Sequence, residues 1–125
     1  MSESRSEDFR LTRVTEICAS LPEVTRSLSG DHAQFQARNR TFAYFLNNHH
    51  GDGIVAITCK VLAGDNIELT SRRPRDFYLP AYLGSRGWVA LRLDLKAPDW
   101  EEVAELIHGS YKLVAPKRLA ALLQD

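Results

Sequence analysis

Cysteine is scarce in this chain, neither sign of charge dominates, and no long apolar run occurs; each absence removes a class of protein. Only two cysteines, Cys18 and Cys59, occur among 125 residues. They lie far apart, form no Cys-x-x-Cys pair and each falls in a periodic apolar segment, so they read as reduced core thiols. No stretch approaches the ~18 apolar residues of a membrane-spanning helix. Residues 1–10 alternate charge with serine and lack the apolar middle of a signal peptide. A cytoplasmic protein with no membrane partner is expected. Sixteen Lys and Arg cancel sixteen Asp and Glu, so no overall positive field draws the chain to nucleic acid or an anionic surface.

Catalytic and cofactor motifs are missing as well. There is no Gly-x-Gly-x-x-Gly or Walker loop, no Gly-x-Ser-x-Gly elbow, no His-Glu-x-x-His and no carboxylate-rich calcium loop. His49-His50 with Asp52 is the one cluster of metal-ligand types, but adjacent histidines on a loop lack the spacing that lets two side chains meet one ion. It reads as a solvated turn. His32 and His108 are singletons, and Glu101, Glu102 and Glu105 lie along one helix with no carboxylate elsewhere to share acid and base roles. The expectation is a protein that is not an enzyme, with no metal and no small-molecule cofactor.

What is present describes one soluble domain over residues 1–125, the first seven a flexible lead. Hydrophobic residues make up 44% and charged residues 26%, which is globular composition, and a chain of this size buries roughly two thirds of the surface its unfolded form exposes. Asp8 is placed to cap a first helix with Leu11, Val14, Ile17, Cys18 and Leu21 on its inner stripe, ended by Pro22. Ser27 to Asp31 reads as a turn around Gly30. Ala33, Phe35 and Ala37 then alternate with polar neighbours, Asn39-Arg40 makes a tight connection, and Phe42, Tyr44 and Leu46 face opposite to Thr41, Ala43 and Phe45. A third strand, Ile54 to Leu62, is apolar on both faces and so central.

Asp65 caps a short helix to about Ser71 with Ile67 as its anchor, before Pro74. A dense stretch follows from Phe77 to Leu91, with tyrosines, glycines and a proline feeding a strand in which Val89, Leu91 and Leu93 oppose Trp88, Ala90 and Arg92. Asp99 is the N-cap of a long helix, with Glu102 the return half of a capping box. Its stripe is Trp100, Val103, Ile107, Tyr111 and Val114. Pro116 opens a closing helix to Leu123 with Leu119, Leu122 and Leu123 inward. The order α-β-β-β-α-β-α-α gives an α+β domain, an antiparallel sheet with helices on one face.

Although charge sums to zero, it is sorted. From Arg72 to Arg92 there are five arginines against Asp76 alone, whereas Asp94 to Glu105 carries five carboxylates against Lys96 alone. Arg72, Arg73, Arg75, Tyr82, Arg86 and Trp88, with Lys117 and Arg118 at the last helix, are the residue types of a nucleic-acid surface: cations for phosphates and flat rings for bases. Equally, Tyr82 and Trp88 can cap the core edge and Arg86 can pair with the acidic helix. Four or five cations on phosphates would give a log-log salt slope of roughly −4.

Three stretches resemble the MmcQ/YjbR family: Cys18-Ala-Ser-Leu-Pro-Glu-Val24, Tyr82-Leu-Gly-Ser-Arg-Gly-Trp-Val89 and Ser110-Tyr-Lys-Leu-Val-Ala-Pro-Lys-Arg118. The match is in order and spans nearly the whole chain. That resemblance implies a YjbR-like α+β fold related to secretion-chaperone-like domains, and a double-wing DNA-binding role falling on Tyr82, Arg86, Trp88, Lys117 and Arg118. Two departures stand beside it. Asp31-His32-Ala33-Gln34-Phe35 replaces the family's His-Pro-x-Phe approach, and only Gly64 to Ser71 stands where the family has a longer helix. Double-stranded DNA is the expected partner; a protein partner of a chaperone-like module is the alternative.

Overall fold

The computed structural model describes residues 7–48 and 51–123. Most of the expected flexible lead, and the His49-His50 pair, therefore lie outside the described residues. The elements run α1 (Phe9–Ala19), β1 (Val24–Ser29), β2 (His32–Ala37), β3 (Arg40–Asn47), β4 (Val55–Lys60), α2 (Asp65–Arg72), β5 (Phe77–Tyr78), a 3-10 turn (Gly84–Arg86), β6 (Trp88–Arg92), α3 (Trp100–Val114) and α4 (Lys117–Ala120). Six strands form one antiparallel sheet in the order β1-β2-β3-β4-β6-β5. The α+β class and the helices on one face hold, and two strands, β1 and β5, are added to the order read from sequence.

Both additions are edge strands. Residues 24–29 have no apolar alternation because β1 is exposed along nearly its whole length, and it exists because β2 offers it a ladder from Val24↔Ala37 to Ser29↔His32. The turn around Gly30 is real but short, with a φ of 61° that glycine adopts without strain. Between β2 and β3 the two-residue loop is Arg38-Asn39, one position earlier than the sequence suggests. Both residues have positive φ, 51° and 70°, the pattern of the hairpin turn whose twist matches its strands.

Alternation along β3 breaks at a β-bulge. Gln36 pairs with Thr41 while Phe35 pairs with Ala43, leaving Phe42 extra. The parity shift turns Phe42 to the helix side along with Ala43 and Phe45, where its ring meets Tyr111 edge-on at 5.2 Å. Ser110 of α3 fixes this point: its hydroxyl donates to the Phe42 carbonyl at 2.6 Å and accepts the Lys60 N–H at 2.9 Å. The Tyr111 hydroxyl donates to the Pro22 carbonyl at 2.6 Å, tying the end of α3 to the segment after α1.

The core lies between the sheet and α1, α3 and α4, with Val14, Phe35, Ile57, Val89, Ile107 and Leu119 at its centre. Burial pushes the Cys18 and Cys59 thiols well up, so both stay neutral. Asp8 caps α1 by accepting the Arg10 N–H, and Asp99 caps α3 by accepting from Glu101 and Glu102. Three details differ from the sequence reading. Gly64 rather than Asp65 is the N-cap of α2, and Ile67 is exposed while Leu69 and Asn66 turn inward. Glu102 binds Arg73 instead of closing a capping box. Leu122 points to solvent, because α4 ends at Ala120.

Candidate functional site

The cations and rings of the proposed DNA surface do not gather. Arg73, at the end of α2, bonds Asp76 at 3.0 Å and both carboxylate oxygens of Glu102, with its guanidinium over the Phe77 ring at 4.9 Å. It is a clasp between β5 and α3. Arg72 pairs with Glu68 on the surface at 3.5 Å. Arg75 and Arg86 are exposed and make no ion pair among the described residues. Arg118 lies near Glu23, whose carboxyl is held below its usual range mainly by the Arg38 hydrogen bond and then by the Arg38 and Arg118 charges. Since Glu23 adjoins β1 and Arg73 adjoins β5, Lys117 and Arg118 stand by the opposite edge of the sheet from the other arginines.

Trp88 is not an open ring face. It is 8% exposed and packs against Tyr44, ring centroids 5.7 Å apart. Tyr82 is the reverse, 90% exposed with a φ of 65°, a left-handed backbone that a bulky residue rarely adopts. The loop that imposes it is densely bonded. Gly84 N–H reaches the Pro80 carbonyl at 2.8 Å and Trp88 N–H the Leu83 carbonyl at 3.1 Å. Asn66 of α2, buried, donates its side-chain amide to the carbonyls of Gly84 and Trp88 at 2.9 and 3.1 Å. A Cβ on Gly84 would stand 3.0 Å from that of Leu79, so the loop closes tightly on itself there.

The helix-free face of the sheet holds something the sequence reading did not find. Strand pairing sets Ser27, Gln34, Tyr44, Thr58, Ala90 and Tyr78 side by side in one row across all six strands. At about 4.8 Å per strand, Tyr44 and Tyr78 stand about 14 Å apart at their Cα atoms with only Thr58 and Ala90 between them. Thr58 and Ala90 are fully buried, so neighbouring side chains close over them and a trough lies above the row. Leu28 and Leu46 extend one side of it, and Pro80, Tyr82 and Leu83 of the loop form the rim, enclosing a cleft of about 480 Å³. That volume is within the usual range of small-molecule sites.

Polar groups are few and placed. The Thr58 hydroxyl, in a side chain with 0% exposure, has no hydrogen-bond partner among the described residues. Gln34 donates its amide to Thr41 and lies beside Tyr44. His32 accepts the Asn47 N–H at Nδ1 at 3.1 Å, which puts its proton on Nε2. Burial, then the nearby Asp52 carboxylate, pushes the Tyr78 phenol above its ordinary range. No sequence signal marks this site, since its row takes one residue from each of six strands.

A two-layer α+β domain, helices on one side and a rimmed trough on the other, is the class this architecture defines. The family model described as YjbR matches residues 19–113, and the chain belongs to that family. A similar solved structure is protein DR2400 of Deinococcus radiodurans, which carries the family-model domain DUF419. It is 24% identical, the match covers 82% of this chain and 76% of that one, and the TM-score is 0.65; the likeness is one of fold. No curated protein matches the chain. Among the described residues no helix is long and apolar enough to cross a membrane.

Proposed function

We propose that this protein is a non-enzymatic binding module whose ligand occupies the trough on the open face of the sheet. The observation that carries the reading is the cleft itself: about 480 Å³ on the helix-free face, walled by Tyr44, Leu46, Tyr78 and the Pro80–Leu83 loop, with His32, Gln34 and Asp52 among its polar groups. The binding role needs no catalytic constellation.

Backbone NMR titration with tyrosol, a small neutral phenol, tests the reading. Shifts at Tyr44, Thr58, Ala90 and Tyr78, with α1 unmoved, are the expected result. Absence of shifts at millimolar tyrosol removes it.

A nucleic-acid role is the second reading, favoured by one observation: Arg72, Arg75, Arg86 and Tyr82 are all exposed on neighbouring segments around β5 and the 3-10 turn. Trp88 is too buried to stack on a base, Arg73 is engaged by two carboxylates, and Lys117 and Arg118 stand near the other edge. Three cations on phosphates imply a log-log salt slope of roughly −3. Titration of a labelled duplex at several salt concentrations, repeated with Arg75→Ala and Arg86→Ala together, tests this. Affinity indifferent to salt, or to that double substitution, counts against DNA as the partner.

A further inference from the structure

Charge along the trough is one-sided. Among the described residues that line it, no lysine or arginine takes part and Asp52 is the single carboxylate. It stands at the Tyr78 end, where its field acts on the phenol. Its Oδ1 accepts the Ile54 N–H at 2.9 Å, which holds the carboxylate in place. Arg92 also reaches this end, but Asp94 engages its guanidinium at 2.8 Å. Aromatic walls add to the bias, because ring faces are negative and attract a cation within about 6 Å of the centroid. Among the described lining residues, an anionic ligand would meet a carboxylate and no lysine or arginine.

Resting on the cleft reading above, we infer that the trough takes an aromatic organic cation: a protonated amine held toward Asp52, on a ring laid against the tyrosines. Tyr44 and Tyr78 flank the ring, and the Tyr82 rim borders it.

Three phenols of one skeleton separate the contributions: tyramine is cationic, tyrosol neutral and 4-hydroxyphenylacetate anionic. Calorimetric titration of the full chain is expected to rank tyramine above tyrosol and 4-hydroxyphenylacetate last. Asp52→Asn keeps the acceptor for Ile54 and removes the charge. It should weaken tyramine by about three- to tenfold, as the loss of one partly screened charge contact implies, and leave tyrosol unchanged. If tyrosol binds as well as tyramine, or if Asp52→Asn leaves tyramine untouched, the cation inference falls and the cleft reading stands. If none of the three binds, both fall. The melting temperature of Asp52→Asn, expected within a degree or two of the parent, shows that lost binding is not lost folding.

Discussion

Single polar atoms decide more in this protein than its charge totals do. Ser110 and Thr58 are both buried hydroxyls, yet one is fully bonded and the other is bare, and opposite substitution effects follow. Ser110→Ala strands the Phe42 carbonyl and the Lys60 N–H inside the protein; a loss of about 1–3 kcal/mol in urea unfolding is expected. Thr58→Val removes an unpaired group and should stabilise by about 1 kcal/mol, raising the melting temperature by a few degrees. A Thr58→Val protein less stable than its parent would argue for a structural role. From sequence, Ser110 was visible only as part of a family-like stretch, and Thr58 not at all, because a lone polar residue in an apolar run declares burial but not what it faces.

Helices were more legible than strands. The caps at Asp8 and Asp99 and the stripes of α1 and α3 follow from local spacing, and they stand where that spacing puts them. What local spacing cannot carry is pairing. Strand β1 exists only because β2 accepts it, β5 is two residues long, and the bulge at Phe42 reverses a parity that the alternation alone would extend. Ion pairs at the element ends give a pH-dependent stability. Asp8 beside Arg10 and Asp94 beside Arg92 are held below the usual carboxylate range, in each case first by the arginine hydrogen bond. With the folded value depressed, their contribution is complete above the unfolded value of about 3.9 and is lost as pH falls through the folded one. Urea midpoints should therefore drop on acidification below about pH 4, and Asp94→Asn should flatten that drop. An unchanged acid limb in the variant would assign the loss to other groups.

At the scale of the whole molecule, the three family-like stretches turn out to build the fold. Cys18 and Leu21 are core, the Pro22 carbonyl anchors Tyr111, Gly84 permits a close approach, Gly87 takes a φ of 90°, and Trp88 is buried against Tyr44. Clustering in sequence suggested clustering in space, and for the arginines it did not follow: α2 delivers Arg73 to the acidic helix, and α4 carries Lys117 and Arg118 toward the far edge. The sorted charge is real, but part of it is spent on internal pairing. The trough was illegible for the converse reason, since its row draws one residue from each of six strands and no two of them are neighbours in the chain.

The rim of that trough is already stitched down by Asn66 and by its own amides. A guest would thus find its berth assembled on arrival, and little segmental freedom would be surrendered at docking. Stopped-flow traces should show an observed rate that climbs in proportion to guest concentration, with no plateau to betray a slow rearrangement beforehand.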